Sequence, residues 1–227
     1  GPDAVIKTPL NGTKVSGLVD VKGTAYSTDD FKQYRLYLGQ GNSPTTWNLF
    51  RASPVPVFYG TLAQWDTTGM PEGSYSLKLE TEDLLGNVNI HQVAIVVDNT
   101  PPASPSLLSV VKSGSDVTAM WSANSEADLA GYLLFRNGQL VNAPGMVLGD
   151  LKAYLLSGTS YLNKSMPDGV FSYYLVAVDQ AGNMGPPSNA IEVSIDTHAP
   201  HATLVEPLDK LKFDSKILLR AESPDFD

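Results

Sequence analysis

Two copies of a short turn motif carry the side chains of this sequence that are best suited to binding a metal ion. The motif reads Asp-x-x-Gly-Asn, and each copy precedes a strand-like segment that ends in a further aspartate. The oxygen-bearing residues are Asp83, Asn87 and Asp98 in the first copy, and Asp179, Asn183 and Asp196 in the second. Calcium takes six to eight oxygen ligands, which a turn, a linker aspartate and a neighbouring domain could supply together. These six residues are the candidate metal ligands, and Ca2+ is the candidate cofactor.

The same motif also has a purely structural interpretation. Glycine and asparagine adopt the left-handed conformation that tight turns require, and an aspartate side chain accepts backbone hydrogen bonds within a turn. On this interpretation, Asp-x-x-Gly-Asn is a hairpin turn between two strands. The hairpin is the more common of the two meanings, and the sequence leaves both open.

Other residues with catalytic potential are sparse. The chain has no cysteine and three histidines, and it contains neither a Gly-x-Ser-x-Gly nucleophile elbow nor a phosphate-binding glycine loop. His198 and His201 have a spacing that could bind a transition metal, but two ligands make a weak site. Paired carboxylates occur without any sign of an enclosed pocket, at Asp29-Asp30 and at Glu80 with Glu82. We therefore expect no enzymatic activity and no catalytic residues.

Charge and hydropathy exclude further classes of function. The formal net charge is -9 and the isoelectric point is about 4.7, so long-range electrostatics oppose binding to a phosphate backbone. No apolar run reaches the roughly 18 residues that span a bilayer. We expect neither a nucleic-acid partner nor membrane insertion in this segment.

The elements that must position these residues are strands, because apolar and polar residues alternate through much of the chain. Alternation with one apolar face requires a second sheet to cover that face, which predicts β-sandwiches and an all-β fold. The alternating segments are 15–21, 34–38, 75–79 and 93–97, followed by 117–121, 128–138 and 171–179. Two short Pro-containing segments divide them and favour extended, semi-rigid linkers.

Internal repetition sets the predicted domain limits. Segment 202–221 aligns with segment 4–23 without a gap and places Pro207 over Pro9, so a third copy begins near the end of the sequence. Two strands cannot bury a core, and we expect the chain to be a piece of a longer protein. The predicted units are two domains, two linkers and the first strands of a third domain, at 1–98, 103–196, 99–102, 197–200 and 201–227.

The two domains resemble known families. The segment from Trp65 to Tyr75 resembles bacterial immunoglobulin-like domains that occur in tandem in large secreted or cell-surface proteins. The second domain, with Trp121, a Gly131-Tyr132 strand and a Tyr-rich strand at 171–179, is similar to a bacterial fibronectin type III domain. Phe171 replaces the tyrosine whose hydroxyl ties a corner in that family, so the corner hydrogen bond should be absent.

The resemblance implies a non-catalytic structural or spacer segment on the outside of a bacterial cell, with neighbouring domains of the same longer chain as its partners. Three alternatives remain: a glycan- or protein-binding module in adhesion, a filament subunit that binds copies of itself, and an accessory segment of a polysaccharide-degrading enzyme. Residues 139–166 are longer than a minimal connection and form a candidate contact surface. A surface row of Trp47, Tyr154 and Tyr161 would favour glycan binding, whereas burial of these rings would favour the spacer.

Overall fold

The computed structural model describes residues 1–28, 30–143, 151–206 and 220–222. Over these ranges the regular structure is β-strand apart from one short 3₁₀ helix, and the all-β prediction is confirmed. None of the helical structure in these ranges has the length and apolar character needed to cross a membrane.

The first sandwich contains eight strands in two sheets. They are β1 (Asp3–Thr8), β2 (Lys14–Val15), β3 (Leu18–Tyr26), β4 (Phe31–Gln40), β5 (Asn48–Ser53), β6 (Val57–Asp66), β7 (Gly73–Asp83) and β8 (Val88–Val97). One sheet has the order β1-β3-β6 and the other β2-β8-β7-β4-β5. Strand pairs are antiparallel except for β2, which runs parallel to β8.

The core of the first sandwich lies between these sheets and follows the alternation of the sequence. Val21, Leu36 and Leu77 are fully buried, each on the inner face of its strand. Two tyrosines extend the core to its edges: the Tyr34 hydroxyl donates to the Leu62 carbonyl at 2.7 Å, and the Tyr75 hydroxyl donates to the Pro71 carbonyl at 2.9 Å. The polar tip of each ring is therefore satisfied while its apolar body packs inside.

The second sandwich follows after residue 102. Its elements are β9 (Leu107–Ser113), β10 (Asp116–Trp121), β11 (Leu129–Arg136), β12 (Gln139–Leu140), a 3₁₀ helix (Leu151–Tyr154), β13 (Ser160–Asn163), β14 (Gly169–Asp179) and β15 (Ile191–Ile195). The sheets have the orders β13-β10-β9 and β12-β11-β14-β15. Trp121 and Tyr132 meet edge to face across the core, with ring centroids 5.6 Å apart. The core contacts thus join one sheet to the other.

The segment 139–166 differs from the long loop that we expected. Its described part contains β12, the 3₁₀ helix and β13, and β13 pairs with β10 through Thr118 opposite Leu162 and Ala119 opposite Tyr161. Polar residues obscured the short strands in the sequence, because an edge strand of four residues shows too little alternation to detect. Residues 144–150 of the expected loop lie outside the described residues.

Phe171 fits the expectation drawn from the sequence. It stands in the place that Tyr75 holds in the first sandwich, and it has no hydroxyl to donate. Its ring instead lies 5.6 Å from the Arg136 guanidinium carbon, close enough for a cation–π contact. The corner hydrogen bond of the first sandwich is therefore replaced by a different contact in the second.

The third copy is described only in part. β16 (Thr203–Glu206) pairs antiparallel with β17 (Arg220–Glu222), and the assignment of these strands to a third sandwich stays a prediction. Residues 207–219 and 223–227 of the predicted segment 201–227 lie outside the described residues.

Candidate functional site at the domain joint

The first Asp-x-x-Gly-Asn motif is a hydrogen-bonded turn between β7 and β8. The Asp83 carboxylate is fully buried and accepts hydrogen bonds from the backbone N–H of Leu85 at 3.0 Å and of Asn87 at 2.8 Å. The Asn87 side-chain amide donates to its other oxygen at 2.8 Å. The side-chain hydrogen bond from Asn87 is the largest cause that lowers the pKa of Asp83, although burial opposes it.

The second motif forms the same turn after β14. The Asp179 carboxylate accepts backbone hydrogen bonds from Gly182 and Asn183, each at 2.8 Å, and the Asn183 side-chain amide donates to it at 2.8 Å. The hairpin interpretation accounts for these contacts in both domains. The assignment of calcium ligands stays a prediction.

Lys14 forms ion pairs with carboxylates at the joint between the two sandwiches. It lies on β2, and its Nζ is 2.8 Å from Asp98 Oδ2 and 2.7 Å from Asp128 Oδ2. Asp98 ends the first sandwich, whereas Asp128 immediately precedes β11 of the second. Hydrogen bonds to Asp128 and then to Asp98 raise the pKa of Lys14, and the bond from Lys14 is the first cause that lowers the pKa of Asp128. The ion pair therefore stays charged through the neutral pH range.

Two further hydrogen bonds cross the joint. The Asn183 side-chain amide donates to the Asp98 carbonyl at 2.8 Å, and the Ser16 hydroxyl donates to the Ala181 carbonyl at 3.2 Å. The second turn motif is thus the part of the second sandwich that rests against the end of the first.

The linker is fixed to both domains as well. The Asn99 side chain accepts from the Gly17 N–H at 3.2 Å and donates to the Thr67 carbonyl at 2.8 Å. The Thr100 hydroxyl bonds to Glu72, and on the other side the Ala103 N–H donates to Glu126 at 2.6 Å. Between these anchors lie the two prolines at 101 and 102, whose φ is restricted. Few torsions of the linker remain free to change the angle between the domains.

The predicted ligands are only partly brought together. Asp98, Asp179 and Asn183 meet at the joint, as a site shared between a linker aspartate and a neighbouring domain requires. Asp83 and Asn87 form the turn before β8, whereas Asp98 follows β8. They therefore lie at the opposite end of the first sandwich from Asp98. The turn of one domain therefore faces the linker aspartate of another domain, not its own.

Sequence reasoning missed Lys14 and Asp128. A faint signal for the lysine exists, because Lys212 takes the place of Lys14 when Pro207 is aligned with Pro9. Asp128 begins a segment recognised as a strand, but nothing nearby in the sequence marks it as an ion-pair partner. The two residues meet only through the packing of separate domains.

Asp196 belongs to a second cluster after the second sandwich. His198 Nδ1 is 2.7 Å from Asp168 Oδ2 and 3.3 Å from Asp196 Oδ1, and all three residues are exposed. Hydrogen bonds from Thr197 are the first cause that lowers the pKa of Asp168. His198 is thus paired with carboxylates in the described structure, and the ring of His201 lies 3.4 Å from the Thr203 hydroxyl.

The remaining paired carboxylates and the third histidine have ordinary structural contacts. Lys78 Nζ is 2.9 Å from Glu80, and Lys32 Nζ is 2.6 Å from Glu82, so these half-buried carboxylates form ion pairs on the sheet. His91 Nδ1 accepts a hydrogen bond from the Ile6 N–H at 3.1 Å. Asp29 lies outside the described residues.

The joint partly matches the chemistry of a cation site. Asp98, Asp128 and Asp179 each bring a carboxylate oxygen within 4.8 Å of the others. The Lys14 ammonium already lies against two of these carboxylates, and both Asp179 oxygens accept hydrogen bonds from the turn. Calcium requires six to eight oxygens, so an ion here would have to displace Lys14 and reorganise the turn.

We expect calcium to leave the midpoint of thermal unfolding of the native chain unchanged relative to chelator. In Lys14→Met, two of the three neighbouring carboxylates lose their ion-pair partner, and calcium should then raise the midpoint because a ligand that binds only the folded state stabilises it. Differential scanning calorimetry of both chains measures the effect, with Lys22→Met as the control. A clear calcium-dependent rise in the native chain would contradict the expectation and support the predicted calcium ligands.

Comparison with known proteins places these sandwiches in a familiar fold. The chain aligns with the fibronectin type III-like modules of Clostridium thermocellum CbhA at a TM-score of 0.53 and 13% identity, over 87% of this chain and 98% of theirs. It aligns with the FN1–FN3 domains of chicken CNTN1 at a TM-score of 0.58 and 18% identity, over 86% of this chain and 65% of that one. The fold is that of tandem immunoglobulin-like and fibronectin type III domains.

The chain is also similar in sequence to a curated protein. Exoglucanase B of Cellulomonas fimi is 26% identical over 220 residues, which is 88% of this chain and 18% of the relative. The chain thus spans less than a fifth of the length of this relative. No protein-family model matches the chain.

Proposed function

We propose that this chain is a non-catalytic spacer that holds its domains at a fixed angle in a larger bacterial extracellular protein. The observation that carries the proposal is the Lys14 ammonium, which bonds carboxylates of both sandwiches. Asn183 and Ser16 add hydrogen bonds across the same joint. Interfaces between domains in one chain usually permit relative motion, so a joint held by an ion pair, two hydrogen bonds and an anchored linker favours a fixed geometry.

The surroundings that we propose are those of a polysaccharide-degrading protein. The aligned relative is named as an exoglucanase, and fibronectin type III-like modules of CbhA share the fold. An acidic, cysteine-free chain of sandwiches suits an exposed accessory segment between other domains. The catalytic function would then belong to other parts of such a protein.

The aromatic residues predicted to test the spacer role support it. Tyr154 packs against the small cluster around Leu133, and Tyr161 packs against the main core of the second sandwich. Trp47 belongs to the first sandwich, where its ring lies 4.7 Å from Lys78 Nζ. These three rings are half-buried on different parts of the molecule and provide no common surface for a sugar chain.

A second candidate, glycan binding, is favoured by a different pair of aromatics. Phe58 and Tyr59 are 64% and 73% exposed, and both lie in a bulge of β6 opposite the single residue Thr24. Tyr59 has φ of 50°, which is unusual for a bulky side chain, and bulges often redirect side chains at functional sites. The two rings meet edge to face with an interplanar angle of 74°, and an exposed aromatic ring is the feature that a sugar would contact.

The spacer role is tested by measuring the distance between the two sandwiches. Because the chain has no cysteine, Ser43→Cys and Lys164→Cys, both at exposed positions, place one spin label on each domain without further changes. We expect a single narrow distance distribution in the native background. Lys14→Met should broaden it about twofold, because domains without a strong interface move relative to one another.

Lys22→Met is the matched control, since the one ion pair that Lys22 makes among the described residues is with Asp20 on the surface at 3.5 Å. This control should leave the distribution unchanged, because an exposed ion pair contributes little. A distance distribution of the native chain as broad as that of Lys14→Met would contradict the proposed spacer role.

A further inference from the structure

The end of the first sandwich that carries the Asp83 turn repeats the architecture of the end through which the second sandwich docks. In the second sandwich, the Gln180 N–H donates to the Asp128 carbonyl at 2.9 Å. In the first, the Leu84 N–H donates to the Asp30 carbonyl at 2.6 Å. Asp30 therefore holds the position of Asp128, which is the residue that receives Lys14 at the joint.

The turn motifs at the two ends also share the hydrogen bonds between their aspartate and asparagine. The Asp83 N–H donates to the Asn87 carbonyl at 3.1 Å, and the Asp179 N–H donates to the Asn183 carbonyl at 3.2 Å. Each asparagine side chain donates to the aspartate of its own turn at 2.8 Å. The end of the first sandwich thus has the same carboxylates and the same asparagine as the docked end of the second.

One difference separates the two asparagines. Asn183 uses its amide twice, donating to Asp179 and also to the Asp98 carbonyl of the preceding domain. Among the described residues, the Asn87 side-chain amide donates to Asp83 alone, although an amide nitrogen carries two hydrogens. The second amide hydrogen of Asn87 is therefore available for the kind of hydrogen bond that Asn183 donates across the joint.

The tip of the first turn is apolar. Leu84 and Leu85 are 68% and 81% exposed, whereas the docked turn has Gln180 and Ala181 in these places. Ala181 lies against the preceding sandwich through Ser16. In the second sandwich, the equivalent turn contacts the preceding domain. Two adjacent exposed leucines at this position therefore indicate an interaction surface.

We propose that this N-terminal end surface, formed by Asp30, Leu84, Leu85 and Asn87, binds the C-terminal end of another immunoglobulin-like sandwich. The expected partner offers a lysine ammonium to Asp30, a backbone carbonyl to Asn87 and apolar surface to the leucines. The C-terminal end of the first sandwich has this lysine at Lys14, and the third copy encodes one at the aligned position Lys212. This inference rests on the proposed spacer role, because it assumes that successive sandwiches dock in the way seen at the existing joint.

Charge and side-chain chemistry favour a protein partner here. A carboxylate that matches Asp128 fits an ammonium group, as the ion pair at the existing joint shows. The tip of the turn is aliphatic, without the flat rings that contact sugars. A neutral glycan would leave this charge unmatched.

The test is a fusion in which residues 1–100 precede the complete chain. The resulting Thr100-Gly1-Pro2 segment keeps the spacing of Thr100-Pro101-Pro102 at the existing joint, so the added copy presents its Lys14 to the N-terminal end surface. Hydrogen exchange of the amides at 84–87 is compared with that of the original chain. We expect it to slow at least about tenfold, because docking stabilises the turn against local opening.

Two variants of the fusion make the result specific. Lys14→Met in the added copy alone, and separately Leu85→Asp in the original domain, should each return exchange at 84–87 to the rate of the original chain. Amides at 180–183 report on the existing joint in the same molecule. Their protection shows whether the proposed spacer joint holds independently of the new contact.

Each outcome decides the proposal. Slower exchange that depends on the added Lys14 supports it. Unchanged exchange at 84–87, with the added copy folded and 180–183 protected, overturns it while leaving the spacer role intact; loss of protection at both places overturns both. Protection of 84–87 in the original chain by cellohexaose, without protection in the fusion, also overturns it and assigns the surface to a glycan.

Discussion

Replacing Trp121 with alanine is expected to unfold the second sandwich under conditions in which the first remains folded. Trp121 is 2% exposed and packs edge to face on Tyr132. Removing a buried tryptophan costs about 3–5 kcal/mol through lost burial and the cavity left behind. Small domains are stable by only about 5–15 kcal/mol, so the second sandwich would lose much of its stability.

The three tryptophans make this result easy to measure. After Trp121→Ala, the remaining fluorescence comes from Trp47 and Trp65, which both belong to the first sandwich. Circular dichroism should show an early transition in denaturant that the fluorescence does not follow. Met120→Ala, on the exposed face of the same strand, is the control and should change stability by no more than about 0.5 kcal/mol. Coincident early transitions would instead mean that the two domains unfold as one unit.

Gly23→Ala is expected to destabilise the first sandwich by about 3 kcal/mol, at the upper end of the usual cost of overpacking. Gly23 lies on β3 between β1 and β6, opposite Ile6 on one side and Gly60 on the other. A methyl group there would stand 1.9 Å from the Val5 carbonyl oxygen. Because the obstructing atom is backbone within the same sheet, it cannot move aside without breaking the β1–β3 pairing.

Gly69→Ala is the matched control for this change. A Cβ at Gly69 has no atom within 4 Å, and the residue does not require the left-handed conformation. Chemical denaturation followed by tryptophan fluorescence should show a large loss for Gly23→Ala and a change of at most about 0.5 kcal/mol for Gly69→Ala. Equal midpoints for the two variants would show that β1 can shift to accept the methyl group. They would contradict the expected destabilisation by close contact with the Val5 carbonyl.

The sequence was sufficient for the strands because burial there follows a simple local rule. Val21, Leu36 and Leu77 alternate with polar neighbours, and each points into the core. The short β12 and β13 were not predicted. β12 has only two residues after a tight turn from β11, too few to show alternation, and β13 pairs with β10, which is far away in the chain. Tertiary packing, not local pattern, decides whether such edge segments become strands.

The candidate site was predictable only in its turns. Asp83 and Asp179 can be recognised in the sequence, because they belong to a motif whose hydrogen bonds are local. The contact between Lys14 and Asp128 depends on how one domain sits against another, and no spacing rule within either domain encodes it. Asp83 and Asp98 lie at different ends of the first sandwich, because β8 carries the chain from one end to the other.

The parallel pairing of β2 with β8 has a mechanical consequence. These strands lie near the two ends of the first sandwich in the chain, and their ladder includes hydrogen bonds from Val96 to Thr13 and from Asp98 to Val15. Tension applied through the chain would pull the two strands in opposite directions along their length. The hydrogen bonds would then be loaded together in shear, and the strands could not be peeled apart one bond at a time. In the second sandwich the first and last strands, β9 and β15, belong to different sheets, so under load that domain should yield first.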